Sequence, residues 1–90
     1  MADVVYGLIS EVLTVPRSDV SGDTALMRDL GAESIDFLDL VFRIEDVIGR
    51  RIKPGTWERY VEERLPLGDH PHTITADIIV EFAEREACRS

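Results

Sequence analysis

The sequence is short of cysteine, of basic residues and of long apolar runs, and each shortage excludes something. A single cysteine, Cys88, leaves no internal disulfide to staple the chain, which fits a reducing compartment. It sits among Glu84, Arg85, Glu86 and Arg89 in the terminal stretch and reads as incidental. Ten basic residues stand against 18 acidic ones, for a formal net charge of −8. That excess repels nucleic acid and anionic membrane surfaces. It suits partners with basic patches, or simply keeps the chain in solution. No apolar run approaches the length of a membrane span. Met1-Ala2-Asp3-Val4 lacks the basic region of a secretory signal, so a cytoplasmic location is expected. Ninety residues allow one domain with a modest core and little room for a deep catalytic cleft. A binding or carrier module is therefore expected rather than an enzyme.

What is present is helical periodicity. Val4, Val5, Leu8, Ile9, Val12 and Leu13 form one apolar stripe. They predict a first helix over about residues 3–14, with Asp3 as N-cap and Pro16 just past its end. Residues 15–33 read as a long connection rich in turn and cap formers, including Pro16, Ser18, Gly22, Asp23 and Gly31. Val20, Leu26, Met27 and Leu30 can pin that connection to a core, and residues 26–30 can make a short helical turn. Residues 34–48 are the strongest helix, with Gly49 as a natural stop. Pro54-Gly55 marks a turn, and Trp57, Tyr60, Val61 and Leu65 suggest a short third helix. Residues 66–73 read as a loop. Ile74, Ile78, Ile79, Phe82 and Ala83 give the face of a last helix over about 74–86, capped by Thr73 or Thr75. No alternating strand pattern occurs. The expected fold is all-α, a four-helix bundle in a single domain over 1–90.

The second helix has more apolar surface than one core needs. With about 100° per residue from Ser34, the residues Phe37, Leu40, Val41, Ile44, Val47 and Ile48 gather around roughly 280°. Ile35, Leu38 and Phe42 fall together at about 40° to 100°, nearly opposite. Glu45 flanks this second stripe on one side, Asp39 and Asp46 on the other, with Asp36 further round. An exposed apolar stripe with an acidic rim is the layout of a docking helix: carboxylates steer a basic partner, and the apolar residues supply contact energy. The alternative is a helix buried on two sides.

Ser34 stands where the long connection meets this helix. Its hydroxyl can cap free backbone N–H groups. It can equally carry a phosphate ester, since a helix N-terminus favours an anion and the junction is open to a modifying enzyme.

The run Asp29-Leu30-Gly31-Ala32-Glu33-Ser34-Ile35-Asp36 resembles the modification motif of acyl carrier proteins, which typically reads Asp-Leu-Gly-Ala-Asp-Ser-Leu-Asp. Pro16, Val20, Asp23 and Leu26 sit where that family's first loop places similar residues. Glu45-Asp46 is similar to its acidic second helix, and residues 73–82 to its last helix, so the resemblance covers most of residues 4–83. It implies that Ser34 receives 4′-phosphopantetheine from coenzyme A through a phosphopantetheinyl transferase. The arm's thiol then holds an acyl group as a thioester, and the protein itself catalyses nothing. It also implies that Glu33, Ile35, Asp36, Leu38, Asp39, Phe42, Glu45 and Asp46 form the recognition surface. The partners would be the transferase and the loading, synthase and tailoring enzymes of fatty-acid, polyketide or related lipid biosynthesis, with the carrier a monomer. Family members shelter acyl chains between helices, so the resemblance offers Phe37, Leu40, Val41 and Ile44 as lining of such a pocket, although periodicity reads them more strongly as core.

Three features depart from the family pattern. Glu33 replaces Asp and Ile35 replaces Leu, keeping charge and apolarity. The segment from about 54 to 72 is longer than usual and holds Trp57 and Tyr60. It points to a specialised, free-standing carrier in which the segment is a docking surface, a lid over the core, or a tolerated insertion. His70-Pro71-His72 offers two histidines without a placed Cys or carboxylate, a thin basis for a metal site, and none is expected. Two other functions remain open at this level. A peptidyl or aminoacyl carrier is disfavoured by Ala32-Glu33 before the serine and by the acidic second helix. An unmodified acidic adaptor would use the same stripe, with Ser34 only as a cap.

Overall fold

The first apolar stripe forms α1 (Ala2–Leu13), with Val5 and Ile9 fully buried. Its N-cap is Met1, not Asp3. The helix starts one residue early, so Asp3 falls in the first turn, where a negative charge suits the helix dipole. Its carboxylate lies 3.6 Å from Arg17. Thr14, at φ 55°, ends α1 in the left-handed region, and a 3₁₀ turn (Arg17–Asp19) follows Pro16. The computed structural model describes residues 1–65 and 70–88, with 70 and 71 by backbone alone.

The long connection is tied down rather than loose. Val20 and Leu26 are buried, and residues 26–30 form α2 (Leu26–Leu30). Backbone bonds Leu26 N–H to Ile74 O (3.0 Å), Ala76 N–H to Thr24 O (3.0 Å) and Asp77 N–H to Gly22 O (2.9 Å) clamp it to the start of the last helix. Ala25 and Thr75 form an isolated β-bridge there, and among the described residues there is no strand. Gly22 lies so close to the Asp77 carboxylate that a Cβ at that position would displace it.

The strongest periodic segment is α3 (Ser34–Ile48), closed by Gly49 at φ 72°. Phe37, Leu40 and Ile44 are buried, Val41 and Ile48 half-buried. Val47, expected on the core face, is instead 43% exposed. It lies about 60° from the centre of that face and in the last turn, so it sits at the edge of the packing. The helix α4 (Thr56–Arg64) follows, with Trp57, Tyr60 and Val61 buried and Leu65 as its C-cap.

Residues 66–69 of the expected second loop lie outside the described residues, and the rest of it is not a loop. Residues 70–73 form α5 (His70–Thr73), which packs on α2. Pro71 is tolerated there because first-turn N–H groups lack a helical partner anyway. The last helix, α6 (Ala76–Ala87), begins later than its periodicity suggests, since Ile74 belongs to the clamp. Thr75, not Thr73, is its N-cap, with the hydroxyl accepting the Ile78 N–H at 3.4 Å.

The architecture is the expected all-α bundle, with α1 against α3 and α6. An aromatic cluster joins α3, α4 and α6: Phe37 stacks on Trp57 at 5.8 Å, and Phe82 meets Trp57 edge-on at 5.1 Å. Each such pair contributes about 0.5–1.5 kcal/mol beyond its buried area. Among the described residues, no helix is long and apolar enough to cross a membrane.

Candidate functional site

The site is built by how α2 begins and ends. At its start the Asp29 Oδ2 accepts the Ala25 N–H at 2.9 Å. This bond, helped by Arg28, holds the Asp29 carboxyl below its ordinary value of 3.8. At its end Gly31 takes φ 73°, and the Gly31 and Ala32 N–H groups return to the carbonyls of Met27 and Leu26. This is a Schellman stop, which a residue with a Cβ adopts at a cost. Ala32 then tucks into the core at 6% exposure. Asp29, Gly31 and Ala32 of the motif therefore have backbone duties: they turn the chain so that Glu33 and Ser34 open α3.

Ser34 does not cap α3. The N-cap is Glu33, which forms a capping box with Asp36, and the Asp36 Oδ2 accepts the Glu33 N–H at 2.8 Å. Ser34 occupies the first helical position, exposed, with a hydroxyl that takes no part in the cap. The capping role that the sequence allowed for this serine is thus overturned, because its neighbours already perform it. Glu33 and Asp36 also put two carboxylates at this helix end. A free anion would meet them as well as the dipole, so the arrangement suits a covalently held phosphate better than a reversibly bound one.

Beside Ser34 a cavity of about 330 Å³ opens between α2, α3, α4 and the start of the clamp to α6. Met27, Phe37, Leu38, Trp57, Val61 and Ile74 give it apolar walls, with Glu58 and Glu62 also in its lining. Of the four residues that the family resemblance offered as shelter for a chain, and that periodicity assigned more strongly to the core, only Phe37 lines it. Leu40 and Ile44 are 1% exposed and serve the core, and Val41 borders other hollows. Sequence reasoning missed Met27, Val61 and Ile74. The Trp57–Val61 spacing of four on α4 was the available signal.

The second apolar stripe is exposed: Ile35 at 68%, Leu38 at 45% and Phe42 at 62%. Its acidic rim is less free than its composition suggested. The Asp39 carboxylate pairs with Arg43 at 3.1 Å, and Arg43 also reaches Glu11 at 3.2 Å. Glu45 accepts the Ile52 N–H at 2.6 Å and so holds the turn after α3. Asp46 remains exposed. Among the described residues no group of three or more His, Cys, Asp or Glu gathers around a common point, and the His70 side chain lies outside them.

The residues present fit a covalent phosphopantetheine: an exposed hydroxyl relieved of capping, at a helix start, next to an apolar cavity. Comparison with known proteins agrees. The family model described as a phosphopantetheine attachment site matches residues 3–57. Acyl carrier protein AcpXL of Brucella melitensis is 34% identical over 61 residues, covering 68% of this chain and 66% of that protein, just under two thirds of its length. The acyl carrier protein of Saccharopolyspora erythraea is 28% identical over 80 residues, 89% of this chain and 79% of that protein. That of Thermotoga maritima is 34% identical across 68% of this chain and 86% of its own. The chain belongs to the acyl carrier protein family, whose shared feature is the phosphopantetheine attachment site.

Proposed function

We propose that Ser34 is the attachment point of the 4′-phosphopantetheine arm. On it the protein carries acyl intermediates for enzymes of fatty-acid, polyketide or related lipid biosynthesis in the cytoplasm. The observation that carries this reading is the Ser34 hydroxyl itself, exposed at the start of α3 while Glu33 and Asp36 cap the helix around it. The attached group supplies a thiol that holds the acyl chain as a thioester. The chain's own residues orient and present it. The Asp29 and Gly31 turns set the height of Ser34, the cavity beside it offers apolar shelter, and the Ile35–Leu38–Phe42 stripe offers contact to incoming enzymes. Those partners are the phosphopantetheinyl transferase and the loading, synthase and tailoring enzymes, each bringing a basic patch to an acidic monomeric carrier. No catalytic role is assigned to the protein.

The test is intact-mass measurement after incubation with coenzyme A and a broad-specificity transferase, for wild type beside Ser34→Ala. A phosphopantetheine increment on wild type alone is expected. A folded wild type that gains no mass with two different transferases would leave the stripe as the docking face of an unmodified adaptor.

A further inference from the structure

Three hollows meet at one side chain. The cavity beside Ser34, a core gap too narrow for a water molecule, and a third hollow of about 200 Å³ near Phe42, Ile52 and Pro54 all have Trp57 in their walls. Among the described residues no other lines all three. Trp57 is 8% exposed, and its indole is held between the stacked Phe37 ring at 5.8 Å and the nearly perpendicular Phe82 ring at 5.1 Å. It is therefore a fixed partition and not a surface flap.

We propose that Trp57 sets the length of acyl chain this carrier shelters, by closing the Ser34 cavity off from the core gap and the hollow beyond. The inference rests on the carrier reading above. The walls Met27, Phe37, Val61 and Ile74 are apolar, so the sheltered part of the cargo is a neutral alkyl chain. Glu58 and Glu62 in the lining act against a chain that ends in a carboxylate. On the scale in which a dry cavity of about 150 Å³ accepts a benzene, about 330 Å³ holds roughly a dozen carbons, and an open cavity fewer. The matched cargo is a chain of medium length.

The experiment loads wild type, Trp57→Ala and Trp57→Leu with saturated acyl-phosphopantetheine of increasing chain length, from acyl-coenzyme A donors and a transferase. Intact mass reports loading, and the melting temperature reports shelter. In wild type, Tm rises with chain length up to about ten carbons and then levels. In the variants the levelling point moves out by roughly four carbons or more, because removing the indole joins the neighbouring hollows. Trp57 is the only tryptophan, so its emission in wild type follows the same series and levels at the same length. This readout keeps the proposal falsifiable even if neither variant folds. Levelling at one common length in all three loaded proteins, or Trp57 emission indifferent to chain length, overturns the role of Trp57. Absence of any mass gain on wild type overturns the carrier reading itself, and the inference with it.

Discussion

The Asp36 carboxylate accepts the Glu33 backbone N–H at 2.8 Å, and Ser34, one of the two residues between them, is left with no capping duty. Stability and modification are therefore separable at two positions of the same helical turn. Ser34→Ala is expected to change unfolding free energy by no more than about 0.5 kcal/mol, the range of an uninvolved surface position. Asp36→Ala is expected to cost about 1 kcal/mol through loss of the box. Urea unfolding followed by circular dichroism checks both. A loss of about 1 kcal/mol in Ser34→Ala would restore the serine as a cap.

Gly31 supplies the next test, because its φ of 73° is what lets α2 stop at Leu30 and α3 begin at Ser34. A side chain in the left-handed region costs about 1–2 kcal/mol, and Gly31→Ala has open space for its Cβ, so strain alone is measured. The expected loss is of that size in urea unfolding. Gly22→Ala differs in kind. Its Cβ meets the Asp77 carboxylate, which must move and give up its 2.5 Å bond from the Tyr6 hydroxyl.

The helical framework was legible because long amphipathic segments signal themselves. Ser34–Ile48 was readable to the residue from its stripe, its loop–helix junction and Gly49. What stayed hidden depends on contacts between distant segments. The clamp of residues 22–26 onto 74–77 uses backbone groups, which carry no sequence signal, and it moved the start of the last helix past Ile74. The cavity stayed hidden for a similar reason. Helical phase places Leu40 and Ile44 inward but cannot tell a filled core from a hollow, which needs α4 and Ile74 in place. The stripe of Ile35, Leu38 and Phe42 was found by subtraction, and it is exposed because no segment among the described residues covers it.

The docking rim should respond unequally to charge reversal. Asp46 is exposed, whereas Glu45 is bound to Ile52 N–H and Asp39 to Arg43. Asp46→Lys is expected to weaken binding to the transferase by up to about tenfold at low salt, with the effect shrinking as salt rises and Tm barely changed. Glu45→Gln is expected to act chiefly on stability, through the turn that seats the buried Ile52. Binding titrations at two ionic strengths, paired with melting curves, separate the two. Equal salt-dependent losses at both positions would mean that Glu45 leaves Ile52 on docking.

Asp29 gives the carrier an acid-sensitive point within its attachment motif. Its folded-state pKa lies below 3.8 because the carboxylate accepts the Ala25 N–H, with Arg28 adding a smaller pull. A depressed carboxylate contributes stability above its unfolded pKa and loses it as pH falls through the folded one. The contribution is therefore complete at neutral pH, begins to fall near the ordinary value of 3.8 and is gone only below the depressed folded-state value. Asp29→Asn keeps an oxygen that can accept the Ala25 N–H but removes the titration. The variant is expected to be less stable than wild type at pH 7, with the difference closing in acid. Urea midpoints across the acid range check this, and an unchanging difference between the two proteins would show that the Asp29 charge does not stabilise the turn that presents Ser34.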